Sequence, residues 1–409
     1  YEKNSFTHYR ITLIKRVPYY IFLRDVLMVA VTTFGGPQAD LADFQKVLVD
    51  KRKYLSSEDL IEINSLCQIL PGPASTQTLT AIGFRIGGPA LAYLTLLVWI
   101  IPAVLFMTTA AVGLSFMDEQ MISDATRYIR PMAVGFVSYG AYIISLKTVT
   151  TKTGIALMIA AAVLSYFFQS PFVFPILLVA GGLVTSLKFR AQPKELKQEL
   201  KIDWSNFLLW AGVLIAAAIL GGVTQALPIK LFENFYRNGS LVFGGGQVLA
   251  PLLYTEFVQY AKPLHYPTSH DEFLSGYALA QAMPGPSFSF SAYIGALSMR
   301  NYGIGGEIFG ALISAVAIFL PGTFLIFFVI RFWEGLKKFR PVRASLEGIT
   351  ATSAGLVAAS AIILFQPLEN SLLNFSVTII TFCLLVFTRI PSPLIIVCGL
   401  ILGFAIKRL

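Results

Sequence analysis

Two Pro-Gly-Pro triplets stand in the middle of long apolar runs, at Pro71-Gly72-Pro73 and Pro284-Gly285-Pro286. Proline lacks the backbone donor and its ring collides with the preceding turn, so neither 57–86 nor 272–299 reads as one continuous helix. The triplets belong to a repeat. Phe34-Gly35-Gly36-Pro37-Gln38 returns at a spacing of 209 residues as Phe243-Gly244-Gly245-Gly246-Gln247, and Gln68-Ile69-Leu70-Pro71-Gly72-Pro73 returns at 213 as Gln281-Ala282-Met283-Pro284-Gly285-Pro286. The acidic pairs Glu58-Asp59 and Asp271-Glu272 share the second spacing, and Ile82-Gly83 matches Ile294-Gly295 nearly in register. Four ordered matches at almost constant spacing indicate duplication of one unit.

A chain that is 56% hydrophobic and 13% charged carries more apolar surface than a soluble fold can bury. Apolar runs near 18–36, 88–116, 131–147, 154–169, 171–187, 204–222, 240–254, 306–332, 345–365, 371–388 and 392–406 predict membrane helices, with the two Pro-broken segments added. The expected fold is therefore an all-α polytopic membrane protein with two inverted-topology repeats and Pro-Gly-Pro broken helices. Its divisions fall at 1–188 for the first repeat, 189–224 for a polar linker and an extra helix, and 225–409 for the second repeat. The net charge of +9 sits in short loops between apolar runs, which sets membrane orientation and argues against nucleic acid as a partner. The basic N-terminus has Arg24 and Asp25 inside its apolar run and no small-residue cleavage site, so a removable signal peptide is not expected. Cys67, Cys383 and Cys398 have no disulfide or metal spacing, and His8, His265 and His270 form no cluster, so neither metal nor cofactor is expected.

Charge decides the relative orientation of the halves. Loop 117–130 carries a net −1 and its counterpart 331–343 a net +4, which places them on opposite faces of the bilayer. Counting each broken helix as one crossing gives six crossings per half plus one at 204–222. The N-terminus, the stretch 188–201 and the loop 331–343 then share the cytoplasmic face. Loop 38–56, with Lys46, Lys51, Arg52 and Lys53, disagrees: on this count it faces outward unless it lies flat at the interface.

Paired discontinuous helices at membrane depth leave backbone groups free to replace a solute's hydration shell. After Pro73 a new helix must begin, so Ala74, Ser75 and Thr76 present amides without intrahelical partners. After Pro286, Ser287, Phe288 and Ser289 do the same. Gly72 and Gly285 lie at the breaks. Two such helix starts facing each other would make a site for an anion without a buried Lys or Arg. Hydroxyls pair across the repeat, Thr76 with Ser289 and Thr78 with Ser291. Gln68 and Gln281 precede the breaks, where their amides would either donate to an anion or satisfy carbonyls freed by the break. Gln38 and Gln247 follow the glycine runs and carry the same two readings, beside plain helix packing. Glu58 and Asp59 read as first-turn residues of a helix. Arg85 reads as a snorkelling cation or an attractor of anions, and Arg24, Arg300, Glu256, Glu307 and Glu347 stay open.

These motifs carry a resemblance. FGGPQADLA at 34–42, KRKYLSSEDLIEINSLCQILPGP at 51–73, TLTAIGFRIGG at 78–88, VFGGGQVLAPLL at 242–253 and LAQAMPGPSFSFSAYIGA at 279–296 resemble the chromate ion transporter family in its long, two-domain form, over essentially the whole chain. The resemblance implies multi-pass residence in the cell membrane and transport of chromate, typically efflux, with sulfate as the related oxyanion. It leaves the lipid bilayer and a second copy of the chain as partners to consider. After FGGP the family commonly has histidine where this chain has Asp40. The competing expectations are a carrier of sulfate or another oxyanion, and an anion channel, for which a continuous polar groove would be expected. An intramembrane enzyme would need an Asp pair, a Ser-Lys or Ser-His pair, or a His cluster within the apolar runs, and the sequence shows none.

Overall fold

The computed structural model of the chain describes residues 18–34, 37–117, 124–170, 172–188, 203–243, 246–259, 268–331 and 339–406, and every regular element among them is helical. The N-terminal 1–17, most of the polar stretch at 189–202, the core of the 331–343 loop, His8 and His265 lie outside the described residues. Five helices are long and apolar enough to cross a bilayer: Ala74–Leu114, Asp124–Leu146, Ser205–Thr224, Arg300–Val329 and Arg340–Phe365.

The chain opens with α1 (Tyr19–Thr32), only 14 residues long. That is about 20 Å of helix against a hydrocarbon core of about 30 Å, so α1 stops inside the bilayer. It then turns back. α2 (Pro37–Phe44) runs into a π-helical segment, Gln45–Lys51. At its end Arg52 pairs with Asp25 at 2.6 Å, while the Tyr54 hydroxyl donates to Asp25 at 2.5 Å. Residues 52–54 thus lie beside the start of α1, and the first element is a re-entrant hairpin.

The Pro-Gly-Pro segment folds the same way. α3 (Ser57–Ile69) and the near arm of α4 (Ala74–Leu114) lie side by side, since Thr78 reaches Asn64 at 3.4 Å across the bend. A helix running straight through would hold those residues about 20 Å apart. The near arm ends at Gly87, whose carbonyl accepts from the Tyr19 hydroxyl, back at the entry side of the hairpin. At Gly88 the backbone takes φ 71° and ψ −165°, a conformation L side chains rarely adopt, and the far arm of α4 departs to cross the bundle. α5 (Ile129–Thr148), α6 (Lys152–Phe167) and α7 (Val173–Ser186) follow, then the peripheral α8 (Ser205–Thr224).

The second half repeats this plan from the opposite end. α9 (Leu227–Leu241) and α10 (Gly246–Tyr254) form a hairpin closed by Arg237 on Glu256 at 3.0 Å. α11 (His270–Ala282) and α12 (Phe290–Ser298) form the next, closed by Arg300 on Glu272 at 2.6 Å. Gly303 bends the chain with φ 71° and ψ −172°, the counterpart of Gly88. α13 (Gly303–Val329), α14 (Arg340–Phe365), α15 (Leu372–Phe387) and α16 (Ser392–Ile406) complete the half. Ser115, past the end of α4, donates to Glu307 near the start of α13, which shows that the second repeat enters where the first one leaves.

Two expectations are corrected. The first hairpin and the Pro-Gly-Pro segment of each half are both re-entrant, so neither makes the single crossing expected of it, and among the described residues five helices have the length and apolarity to span a bilayer. Lys46, Lys51, Arg52 and Lys53 therefore sit at the same end as Tyr19, Lys188 and Arg331, which removes the conflict with the positive-inside rule. The other correction concerns the run at 240–254. Its first helix begins much earlier, at Leu227, and hydropathy hides it because Lys230, Glu233 and Arg237 interrupt the pattern. Arg237 is held by Glu233 at 2.9 Å, Glu256 at 3.0 Å and Asn234 at 2.8 Å, so those polar groups are satisfied inside the bundle.

The helices sort into two groups. The hairpins pack around α4 and α13, while α5, α6, α7, α14, α15 and α16 form a second bundle. Small residues let the second bundle close tightly: a Cβ on Gly348 of α14 would collide with the carbonyl oxygen of Gly181 on α7. The revised topology predicts that a membrane-impermeant maleimide labels Lys53→Cys and Asp203→Cys from one face and Lys230→Cys from the other. Labelling of Lys53→Cys and Lys230→Cys from the same face would restore the single-crossing reading.

Candidate functional site

The tips of the two Pro-Gly-Pro hairpins each dock on the opposite half, and both lie beside Trp99. Both bends have glycine at positive φ, 113° at Gly72 and 92° at Gly285, and both expose backbone groups that an apolar surrounding cannot satisfy. Each repeat supplies the missing partner to the other. The Gly72 amide donates to the Val242 carbonyl at 2.8 Å, just past α9, and the Gly285 amide donates to the Thr33 carbonyl at 3.1 Å, just past α1. A Cβ on Gly72 would stand 3.3 Å from Gly322 Cα, and one on Gly285 would stand 3.3 Å from Ala103 Cβ, so each tip seats on the crossing helix of the opposite half. Trp99 touches both: its indole donates to Thr76 Oγ1 at 3.1 Å, and its carbonyl lies beside Gly285.

Capping boxes start the inbound arms. Ser56 accepts from the Asp59 amide at 3.1 Å and Ser269 accepts from the Glu272 amide at 3.2 Å, which gives Asp59 the first-turn role expected of it. The outbound arms start without side-chain caps at Pro73 and Pro286. Ala74, Ser75 and Thr76 are buried in the first turn of α4, so their amides face the protein interior.

The two helix starts are not equivalent. The second opens with a 3-10 turn, Ser287–Ser289, in which the Ser289 amide is taken by the Pro286 carbonyl at 3.0 Å. Ser287 and Phe288 keep the amides that point ahead of the turn. The paired hydroxyls also differ in use. Thr76 accepts from Trp99 and Thr78 donates to the Ala74 carbonyl at 2.8 Å, whereas Ser289 Oγ and Ser291 Oγ are fully buried with no partner among the described residues.

Gln68 is exposed, and Gln281 is half-buried. The carbonyl freed at the first bend is met by Gln77, whose Nε2 donates to Pro71 at 2.7 Å and to Gly322 at 3.2 Å. Gln77 is not among the residues to which the sequence motifs point. The one signal available was an amide inside an otherwise apolar and hydroxylic run, with Phe290 at the matching place in the second repeat. Gln38 and Gln247 lie in the first turns of α2 and α10, and their side chains, like Gly35, Gly36, Gly244 and Gly245, lie outside the described residues.

The ionisable groups left open are placed at the ends of the bundle. Arg300 pairs with Glu272, Glu256 with Arg237, Glu307 with Ser115, and Glu347 accepts from Thr151. Asp40 is the exception. It is buried against Ser75, with Oδ1 unpartnered among the described residues. The first helix start thus presents oriented amides with an acid group beside it. Replacing Gln77 by Leu would strand two buried carbonyls at a cost of about 1–3 kcal/mol. Thermal melting in detergent should show a clear drop for Gln77→Leu and none for Gln68→Ala.

Comparison with known proteins agrees with this architecture. The family profile described as Chromate transporter matches residues 21–186 and again 229–404. A probable chromate transport protein of Synechococcus elongatus is 26% identical over 375 residues, 90% of this chain and 91% of the relative. The chromate transport protein of Cupriavidus metallidurans is 24% identical over 377 residues, 90% and 88% of the two chains. That of Pseudomonas aeruginosa is 26% identical over 347 residues, 81% and 78%. No solved structure matches. With the family profile matched in both halves, the chain belongs to the chromate transporter family, as a multi-pass protein of the cell membrane.

Proposed function

We propose that this chain carries chromate, a tetrahedral oxyanion, out of the cell through the pocket between the two hairpin tips, with sulfate as the competing solute. Residues 1–188 and 225–409 act as the two halves of the carrier, joined by 189–224. The observation that carries the reading is the reciprocal docking of the tips, Gly72 on Val242 and Gly285 on Thr33. It holds two uncapped helix starts in one buried layer, where the amides of Ala74, Ser75 and Thr76 and those of Ser287 and Phe288 add to the Ser289 hydroxyl. Neutral donors at helix N-termini suit a fully ionised anion. Gln68 and Gln281, just ahead of the bends, and Gln38 and Gln247, on the ground of their sequence positions alone, are the further candidate contacts of the solute. The names of the relatives from Cupriavidus metallidurans and Pseudomonas aeruginosa support chromate as the solute.

Two negative charges close together repel, so a dianion beside Ser75 and an ionised Asp40, which holds the Ser75 side chain, oppose each other. The membrane potential favours exit. A dianion leaving an inside-negative cell gains roughly 4.6 kcal/mol per 100 mV, twice the single-charge value. That sustains an outward gradient of roughly three decades without a coupling ion.

Flux of chromate and of sulfate in proteoliposomes, with potential and pH gradient set independently, tests the reading. Movement of a tetrahedral dianion should follow the imposed voltage; activity confined to uncharged solutes sinks the proposal. Ser75→Pro removes one first-turn donor where the helix needs none, so it should lower flux roughly tenfold or more, beyond the loss seen for Ser75→Ala, which removes only the hydroxyl beside Asp40. Arg85→Ala, about three turns from the tip, should only weaken it.

A further inference from the structure

The two halves match in sequence and in element order, yet they do not pack alike. α11 wedges against α5 and α16 in the second bundle. The equivalent packing of α3 on α14 and α7 is not made to a comparable extent. Instead α7 closes directly onto α14, through Gly181 and Gly348, and fills the place α3 would take. Where α11 intervenes, α5 and α16 meet only lightly, with Gly399 facing the flexible end of Met132.

Exposure follows the same asymmetry. At a spacing of 213 residues Ile61 corresponds to Leu274, and they are 57% and 0% exposed. Ser65 is exposed where Ala278 is buried, and Gln68 is exposed where Gln281 is half-buried. The open face of α3 thus runs Glu58, Ile61, Ser65, Gln68, from the basic end of the bundle almost to the tip. A stripe carrying a carboxylate and an amide is costly against hydrocarbon and suits a face turned to water. The basic end is the cytoplasmic one by its charge.

The closed end is held by an ion pair between the two groups of helices. Arg130, at the start of α5, meets Asp271, in the first turn of α11, at 2.5 Å. Arg130-Pro131 corresponds to Arg340-Pro341 at the start of α14, and Asp271 corresponds to Glu58 in the first turn of α3. Glu58 is exposed and makes no ion pair among the described residues, and Arg340 has other contacts here.

We propose that Arg130–Asp271 and Arg340–Glu58 are the two gates of an alternating-access cycle, closed in turn, and that the structure holds the state open to the cytoplasm. Rocking the hairpin group against the second bundle parts α11 from α5 and α16 and drives α3 between α7 and α14. The repeat makes the two end states near copies of each other, so neither is strongly favoured. This inference rests on the tips as the transported solute's site, and it fixes which residues cover that site from each side.

The test uses the full chain in inside-out vesicles, with Cys383 and Cys398 replaced by Ser and the buried Cys67 kept. An impermeant maleimide should label Ser65→Cys from the cytoplasmic face. Oxidation of Glu58→Cys with Arg340→Cys should form a disulfide, cut that labelling by about tenfold, stop flux and be reversed by reductant. Oxidation of Arg130→Cys with Asp271→Cys should stop flux and leave the labelling intact. A transporting protein in which the first pair never links, or links while Ser65→Cys stays fully reactive, overturns the proposal. If the cysteine pairs fail to assemble, the charge swap decides: Glu58→Arg should lower flux and Glu58→Arg with Arg340→Glu should restore it. No restoration also overturns it. Labelling needs no solute, so gating intact without chromate flux would count against the solute assignment alone.

Discussion

A backbone that bends inside a bilayer must find its hydrogen-bond partners within the protein, and this requirement shapes the centre of the molecule. Each Pro-Gly-Pro tip places its glycine amide on the last carbonyls of the first helix in the opposite half. Neither repeat can satisfy its own bend this way. The duplication is therefore a structural necessity here, since one half without the other would leave a buried donor and an open helix end at the same depth.

From that reciprocal contact the remaining features follow in order. Seating a tip against Gly322 or Ala103 requires that the crossing helix be small at that point, and it fixes where the outbound arm begins. The outbound arm begins just after proline, so its first amides have no side-chain cap. Trp99 ties Thr76 to the neighbourhood of Gly285. Amides keep their polarity at any pH, so the anion site proposed here avoids the cost of burying an arginine at membrane depth. The acid group of Asp40, set against Ser75, is the one feature that opposes it.

The same duplication allows the halves to differ. Corresponding helices α3 and α11 occupy unequal surroundings, one open and one wedged into the second bundle. The glycine pairing of α7 with α14 shows how the vacant place is filled without leaving a void. Two packings of similar quality, related by the repeat, are what a carrier needs if its ends are to open alternately.

Much of this could be read from the residues. The repeat offsets located both bends, the prolines dictated new helix starts at Ala74 and Ser287, and Glu58-Asp59, repeated as Asp271-Glu272, marked the start of the inbound arms. These features are legible because capping and proline chemistry act within a few residues. The chain direction after each bend was not legible: an interrupted helix can continue or fold back, and only the contact of Thr78 with Asn64, or of Arg300 with Glu272, distinguishes the two. The basic run at 46–53 looked misplaced for that reason. α9 was missed because its charges are satisfied by Glu256, a partner beyond the helix itself. Gln77 was missed because its worth lies in Pro71 and Gly322, and a carbonyl 245 residues away leaves no mark on a local pattern. Local sequence determined where this chain must break and what each new helix would present; tertiary packing alone decided which breaks face one another, because that depends on surfaces distant in the chain.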